Sequence, residues 1–86
     1  MKYFLFVEKK VSEKLKSLPS NIRKNIINKI KKLESFDQST TNIKKLKKPL
    51  HGYRLRIGDY RVLFTFDPNK KEIKIYTLDH RKDVYK

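Results

Sequence analysis

Tyr53-Arg54-Leu55-Arg56-Ile57-Gly58-Asp59-Tyr60-Arg61-Val62-Leu63-Phe64 is the stretch that decides the fold. Residues 53–57 alternate an apolar side chain with arginine, the period of two expected of a strand with one buried face. Gly58-Asp59 is a two-residue turn signal, because glycine accepts the positive φ that such hairpin turns require. Tyr60 to Phe66 reads as the return strand. A two-residue loop pairs Ile57 with Tyr60, Arg56 with Arg61 and Leu55 with Val62. Side chains alternate in direction along a strand. Tyr53, Leu55, Ile57, Tyr60, Val62 and Phe64 therefore line an apolar face, and Arg54, Arg56 and Arg61 line the other. Directly opposed residues have Cβ atoms about 4.5–5.5 Å apart, and like charges there are destabilising. Neither strand supplies an acid on that face. Folding alone does not favour the arrangement, but a bound anion does, since guanidinium offers a fork of donors matched to phosphate. The alternative is that the arginines spread apart into water, where repulsion is modest.

Outward from the hairpin, Asp67-Pro68-Asn69-Lys70 is a second turn and Ile73 to Leu78 a third strand. If Ile73, Ile75 and Thr77 point inward, then Lys74, Tyr76, Leu78 and His80 share the arginine face. Upstream, Lys44-Lys45-Leu46-Lys47-Lys48-Pro49 reads as irregular chain, its four lysines serving phosphate binding or solubility. Asp37 to Asn42 is a polar loop. Tyr3-Phe4-Leu5-Phe6-Val7 reads as a strand buried on both faces. Val11, Leu15 and Leu18 mark a short amphipathic helix from about Lys10 to Leu18, stopped by Pro19. Ser20 is placed to cap a second helix that ends near Ser35. That helix carries Ile22, Ile26, Ile27, Ile30 and Leu33 on one stripe, with Arg23, Lys24, Lys31 and Lys32 opposite. The order is β-α-α-β-β-β. The expected class is α+β: an antiparallel sheet packed against an N-terminal helical hairpin, as a single domain over residues 1–86.

The 86 residues include 23 Lys or Arg against 9 Asp or Glu, a formal net charge of +14. Such a charge predicts a polyanionic partner: nucleic acid first, an acidic protein second, an anionic membrane surface third. With no cysteine, disulfides, thiolate zinc sites and cysteine nucleophiles are excluded. Two histidines do not make a zinc site, and two glycines make no glycine-rich phosphate loop. No metal or cofactor is expected. The longest apolar run, Tyr3 to Val7, is short of the roughly 20 residues of a membrane span and the roughly 7–15 of a signal-peptide core. The expectation is a cytoplasmic protein without a membrane partner.

Gly52 to Val62, a "YRxRxGDYRV" pattern, is followed by Asp79-His80-Arg81-Lys82-Asp83-Val84-Tyr85. On these residues the chain resembles the RelE/ParE superfamily of toxins, and more closely the RelE branch with its microbial-ribonuclease-type fold. The resemblance implies a toxin of a type II toxin–antitoxin pair. Its activity would be that of a metal-independent endoribonuclease that cuts mRNA in the ribosomal A site, the ribose 2′-hydroxyl attacking the adjacent phosphodiester. It matches the family's basic strand positions to Arg54, Arg56 and Arg61, its late arginine to Arg81, and its C-terminal tyrosine to Tyr85. Relatives commonly carry lysine where Arg54 or Arg56 stands. Arginine does not act as a base near neutral pH, so these side chains are assigned to phosphate clamping and transition-state charge. Tyr85 and His80 are the two candidates for acid–base work; an ordinary histidine pKa near 6.5 suits it. Lys44, Lys45, Lys47, Lys48 and Lys74 are candidate RNA contacts. The implied partners are a RelB-like antitoxin, the ribosome and mRNA, with the toxin a monomer within the toxin–antitoxin complex. A ParE-like gyrase inhibitor and a non-catalytic basic nucleic-acid binder are the alternatives.

Overall fold

Among the described residues, five strands form one sheet, the first at one edge followed by the fifth, fourth, third and second, with two helices inserted after the first strand. The computed structural model describes residues 2–36, 43–47 and 51–80. The elements are β1 (Phe4–Val7), α1 (Lys9–Lys16), α2 (Ser20–Lys31) with a 3₁₀ turn (Lys32–Ser35), β2 (Ile43–Lys45), β3 (Tyr53–Ile57), β4 (Tyr60–Asp67) and β5 (Glu72–His80). The class is α+β, as expected, and the hairpin register is the one its two-residue turn dictates. Ile57 pairs with Tyr60, Arg56 with Arg61 and Leu55 with Val62.

Two additions come from pairing at a distance. β1 runs parallel to β5, Leu5 opposite Ile73 and Val7 opposite Ile75, so the sheet is mixed and not wholly antiparallel. Ile43 to Lys45, within the stretch read as irregular from Lys44 onward, is an antiparallel edge strand beside β3. Three residues are too few to display an alternating pattern, but burial of Ile43 opposite Leu55 anchors them.

Three local expectations are corrected. β1 is not buried on both faces: Phe4 and Phe6 are 66% and 49% exposed. It is an edge strand, and only Leu5 and Val7 turn toward the core. Ser20 does not cap α2. Pro19 occupies that position with no side-chain cap, and its carbonyl accepts from the Arg23 N–H at 2.9 Å. The preset φ of proline suits an entry to a helix, where no N–H is needed.

The third correction bears on the site. β4 and β5 pair regularly from Tyr60 with His80 to Leu63 with Thr77, and then Phe64 pairs with Ile75. Tyr76 is the extra residue of a β-bulge. The apolar positions Ile73, Ile75 and Leu78 are spaced two and then three apart, and the bulge absorbs the odd residue. It buries Leu78 in place of Thr77, and a fully buried leucine is worth about 1.5–3 kcal/mol. Beyond the bulge the faces are exchanged. Leu78 and His80 point to the helical side; Thr77 and Asp79 stand on the arginine side.

The core lies between the helices and the inner face of the sheet. Val11, Leu15, Ile26, Ile30 and Leu33 meet Leu55, Ile57, Val62, Phe64, Ile73, Ile75 and Leu78 there. Phe36 closes one end. Its ring lies edge-on to Tyr53, Phe64 and Phe66 at centroid distances of 5.2, 5.4 and 5.0 Å.

Candidate functional site

The site is the outer face of the β3–β4 hairpin, the side turned away from the helices. Two cross-strand rows compose it. In the first, Arg56 on β3 opposes Arg61 on β4, which opposes Asp79 on β5. In the second, Lys44 on β2 opposes Arg54, which opposes Leu63 and then Thr77. Arg56 and Lys44 are exposed, and Arg54 and Arg61 are half-buried. Four cations therefore project from one patch whose geometry is set by strand pairing.

Not every candidate joins them. The bulge puts His80 opposite Tyr60 on the helical side, its ring edge-on at 4.9 Å, and not on the arginine face. Lys45 opposes Tyr53, also away from the arginines, and Lys47 follows the end of β2. Lys74 is on the outer face but opposite Thr65, four positions along β4 from Arg61, hence about 13 Å away at 3.3 Å per residue. Its ammonium lies 3.5 Å from Glu8 Oε2 and 5.9 Å above the Phe6 ring. Arg81, Tyr85 and Lys48 lie outside the described residues.

One neighbour of the patch escaped the sequence reading, and a second is among those expected on this face. Asp79 brings a carboxylate to a face on which the hairpin strands alone place none beside the arginines, and Lys14 of α1 approaches it at 3.4 Å. The spacing of Ile73, Ile75 and Leu78 was the signal for it, since that spacing implies the bulge. The second is Tyr76, whose hydroxyl donates to the His51 carbonyl at 2.7 Å. Burial raises the Tyr76 hydroxyl above its ordinary value of 10.0, because the ionised form would be poorly solvated. Among the described residues no three His, Cys, Asp or Glu gather where they could hold a metal ion.

Such a patch can bind phosphate. Opposed guanidinium groups offer several N–H donors over a short span, and the oxygens of a phosphodiester can accept from both. The same groups can stabilise charge that develops on phosphorus oxygens during transfer.

Residues 5–85 match the family described as ParE toxin of type II toxin-antitoxin system, parDE. Among solved structures, the chain superimposes on the archaeal RelE–RelB complex from Pyrococcus horikoshii OT3 with a TM-score of 0.79 and 32% identity, covering 94% of this chain and 97% of that one. The RelB–RelE antitoxin–toxin complex from Methanococcus jannaschii gives 0.73 and 29%, covering 93% and 94%. The isolated RelE toxin of E. coli shares the fold, with a TM-score of 0.74 at 20% identity over 96% and 90% of the two chains. No curated protein sequence matches. A family match over nearly the whole chain, together with the archaeal likeness, establishes that this protein belongs to the RelE/ParE superfamily and is a toxin of a type II toxin–antitoxin system.

Proposed function

We propose that this toxin is a metal-independent endoribonuclease, a single domain over residues 1–86, that cleaves mRNA in the ribosomal A site. The observation that carries this reading is the pairing of Arg56 with Arg61, flanked by Arg54 and Lys44, on the sheet face turned away from the helices. In the reaction the ribose 2′-oxygen bonds to phosphorus and the bond to the 5′-oxygen breaks. The products are a 2′,3′-cyclic phosphate and a 5′-hydroxyl. Arg54, Arg56 and Arg61, joined by Arg81, hold the phosphate and offset the charge on its oxygens. Tyr85 takes the 2′ proton, His80 being on the helical side of the sheet, and a protonated group returns one to the 5′-oxygen. Lys44, Lys47, Lys48 and Lys74 contact neighbouring phosphates, while Lys45, which faces away from the arginines, does not. No cofactor takes part.

The toxin acts in the cytoplasm, and its partners are the ribosome, mRNA and a RelB-like antitoxin. The Pyrococcus and Methanococcus relatives are complexes of RelE with RelB, which supports an antitoxin partner here. An acidic, amphipathic antitoxin segment suits a chain of net charge +14. A second reading, inhibition of DNA gyrase, is favoured by the family description, which is that of ParE.

Primer extension on a defined mRNA in programmed ribosomes tests the proposal, with wild type beside Tyr85→Phe and His80→Ala. A single cut within the A-site codon is expected, weakened in Tyr85→Phe and kept in His80→Ala. Absence of any cut by wild type overturns the reading, and inhibition of gyrase in a supercoiling assay then supports the second.

A further inference from the structure

We infer that Asp79 is a positioning residue for Arg61, anchored from its other side by Lys14. The inference rests on the ribonuclease reading for its consequence, but the strand pairing from which it starts is independent of that reading. The three residues of the first row are directly paired across adjacent strands: Arg56, Arg61, Asp79. Arg61 is thus the middle member, with a like charge on one side and a carboxylate on the other. Repulsion from Arg56 drives the Arg61 guanidinium away from β3, and attraction to Asp79 draws it toward β5. Both forces act along the same line and select the same position.

The carboxylate is itself held. Lys14 Nζ lies 3.4 Å from Asp79 Oδ1, and both side chains are little more than a third exposed. The pair sits beside a cleft between α1 and β5 that Lys10, Val11 and Leu78 also line. Lys14 is a residue of α1, whose Val11 and Leu15 are buried in the core, so the anchor is carried by a helix seated in that core. The position of Asp79 depends on the Tyr76 bulge, without which residue 79 would face the helices. Among the described residues, other acids near the outer face are remote: Glu8 is held at Lys74, and Asp67 and Glu72 pair at the far end of β4, six positions from Arg61, about 20 Å along the strand. Asp59 belongs to the exposed turn.

The consequence concerns preorganisation. A cation aimed before substrate arrives stabilises the transition state without reorganising at the moment of reaction. Lys14 also balances the carboxylate, so that Arg56, Arg61, Lys14 and Asp79 remain net positive toward a phosphate. Asp79 touches no reacting atom in this scheme. It acts through Arg61.

The test uses the full chain made by cell-free synthesis, as wild type, Asp79→Asn and Asp79→Glu, with two readouts. The first is single-turnover cleavage on programmed ribosomes over a titration of toxin. Asp79→Asn is expected to lower the saturating rate about 10- to 100-fold, the scale of a small misplacement of a reacting group. The half-saturating concentration should not rise, because a negative charge has been removed. Asp79→Glu should retain most of the rate. The second readout is NMR of the Arg61 guanidinium, assigned by comparison with Arg61→Lys. Restricted rotation about its Cζ–Nε bond is expected in wild type and lost in Asp79→Asn. A wild-type rate in Asp79→Asn overturns the inference, as does an Arg61 signal that Asp79→Asn leaves unchanged. If wild type itself does not cleave, the ribonuclease reading fails, and the NMR comparison alone decides the positioning role.

Discussion

The Tyr76 hydroxyl, carried on the bulge of β5, donates a 2.7 Å hydrogen bond to the carbonyl oxygen of His51, where the chain enters β3. Tyr76 belongs to β5 and His51 leads into β3, strands that are not neighbours, since β4 runs between them. The bond therefore ties the bulge to the start of the arginine strand across the outer face. Tyr76→Phe removes the donor and keeps the ring. It should cost about 1 kcal/mol, the usual net worth of such a bond, read as a lower midpoint in urea denaturation with an unchanged slope.

The same hydroxyl predicts an alkaline effect. Burial raises the Tyr76 pKa above its ordinary 10.0. The folded state thus favours the neutral form, and a raised pKa gives stability that is whole below the unfolded value and lost as pH rises through the folded one. Between pH 9 and 11.5, roughly the span around a tyrosine pKa near 10, wild type should lose more stability than Tyr76→Phe. Parallel denaturation midpoints of the two proteins over that range would contradict it.

Gly52 and Gly58 both adopt positive φ, at 93° and 57°, but they differ in surroundings. A Cβ at Gly52 would run into the Phe64 carbonyl oxygen, while one at Gly58 meets nothing within 4 Å. Gly58→Ala should cost only about 1–2 kcal/mol, the penalty of the left-handed backbone. Gly52→Ala adds a backbone clash across the β3–β4 pair. Its expected cost exceeds about 4 kcal/mol, the range of exceptional single substitutions, which thermal unfolding of the two variants would rank.

Arg56 is the exposed member of the like-charged pair. Arg56→Ala should reduce cleavage about 10²- to 10³-fold, as loss of one preorganised donor to a developing anion does. The denaturation midpoint should hold or rise, because directly opposed like charges destabilise a strand pair. A fall in activity matched by a fall in stability would instead mean that Arg56 serves the fold.

Lys44 and Lys45 are adjacent in sequence but face opposite ways, Lys44 opposite Arg54 and Lys45 opposite Tyr53. Each phosphate contact on single-stranded nucleic acid contributes a slope of about −0.7 to the salt dependence of log affinity. Lys44→Ala should shallow the slope for single-stranded RNA by that amount, and Lys45→Ala should leave it nearly unchanged. Equal effects would show that β2 does not hold its register in the complex.

The amino-acid sequence by itself determined the hairpin, its two-residue turn, the arginine face and the helical pair. Each is local: a turn of two residues leaves no freedom of register, and alternation then assigns every side chain to a face. The motif around Gly52 to Val62 and Asp79 to Tyr85 pointed to the superfamily for the same reason, since short-range spacing carries it. Tertiary structure decided the rest. Phe4 and Phe6 looked like core because an apolar run carries no sign of whether a layer will cover it. Ile43 to Lys45 looked like loop because three residues show no period, and only Leu55 across the gap makes them a strand. His80 and Asp79 exchanged faces because burying Leu78 outweighs a regular ladder, and that choice is made by the helices that pack above it.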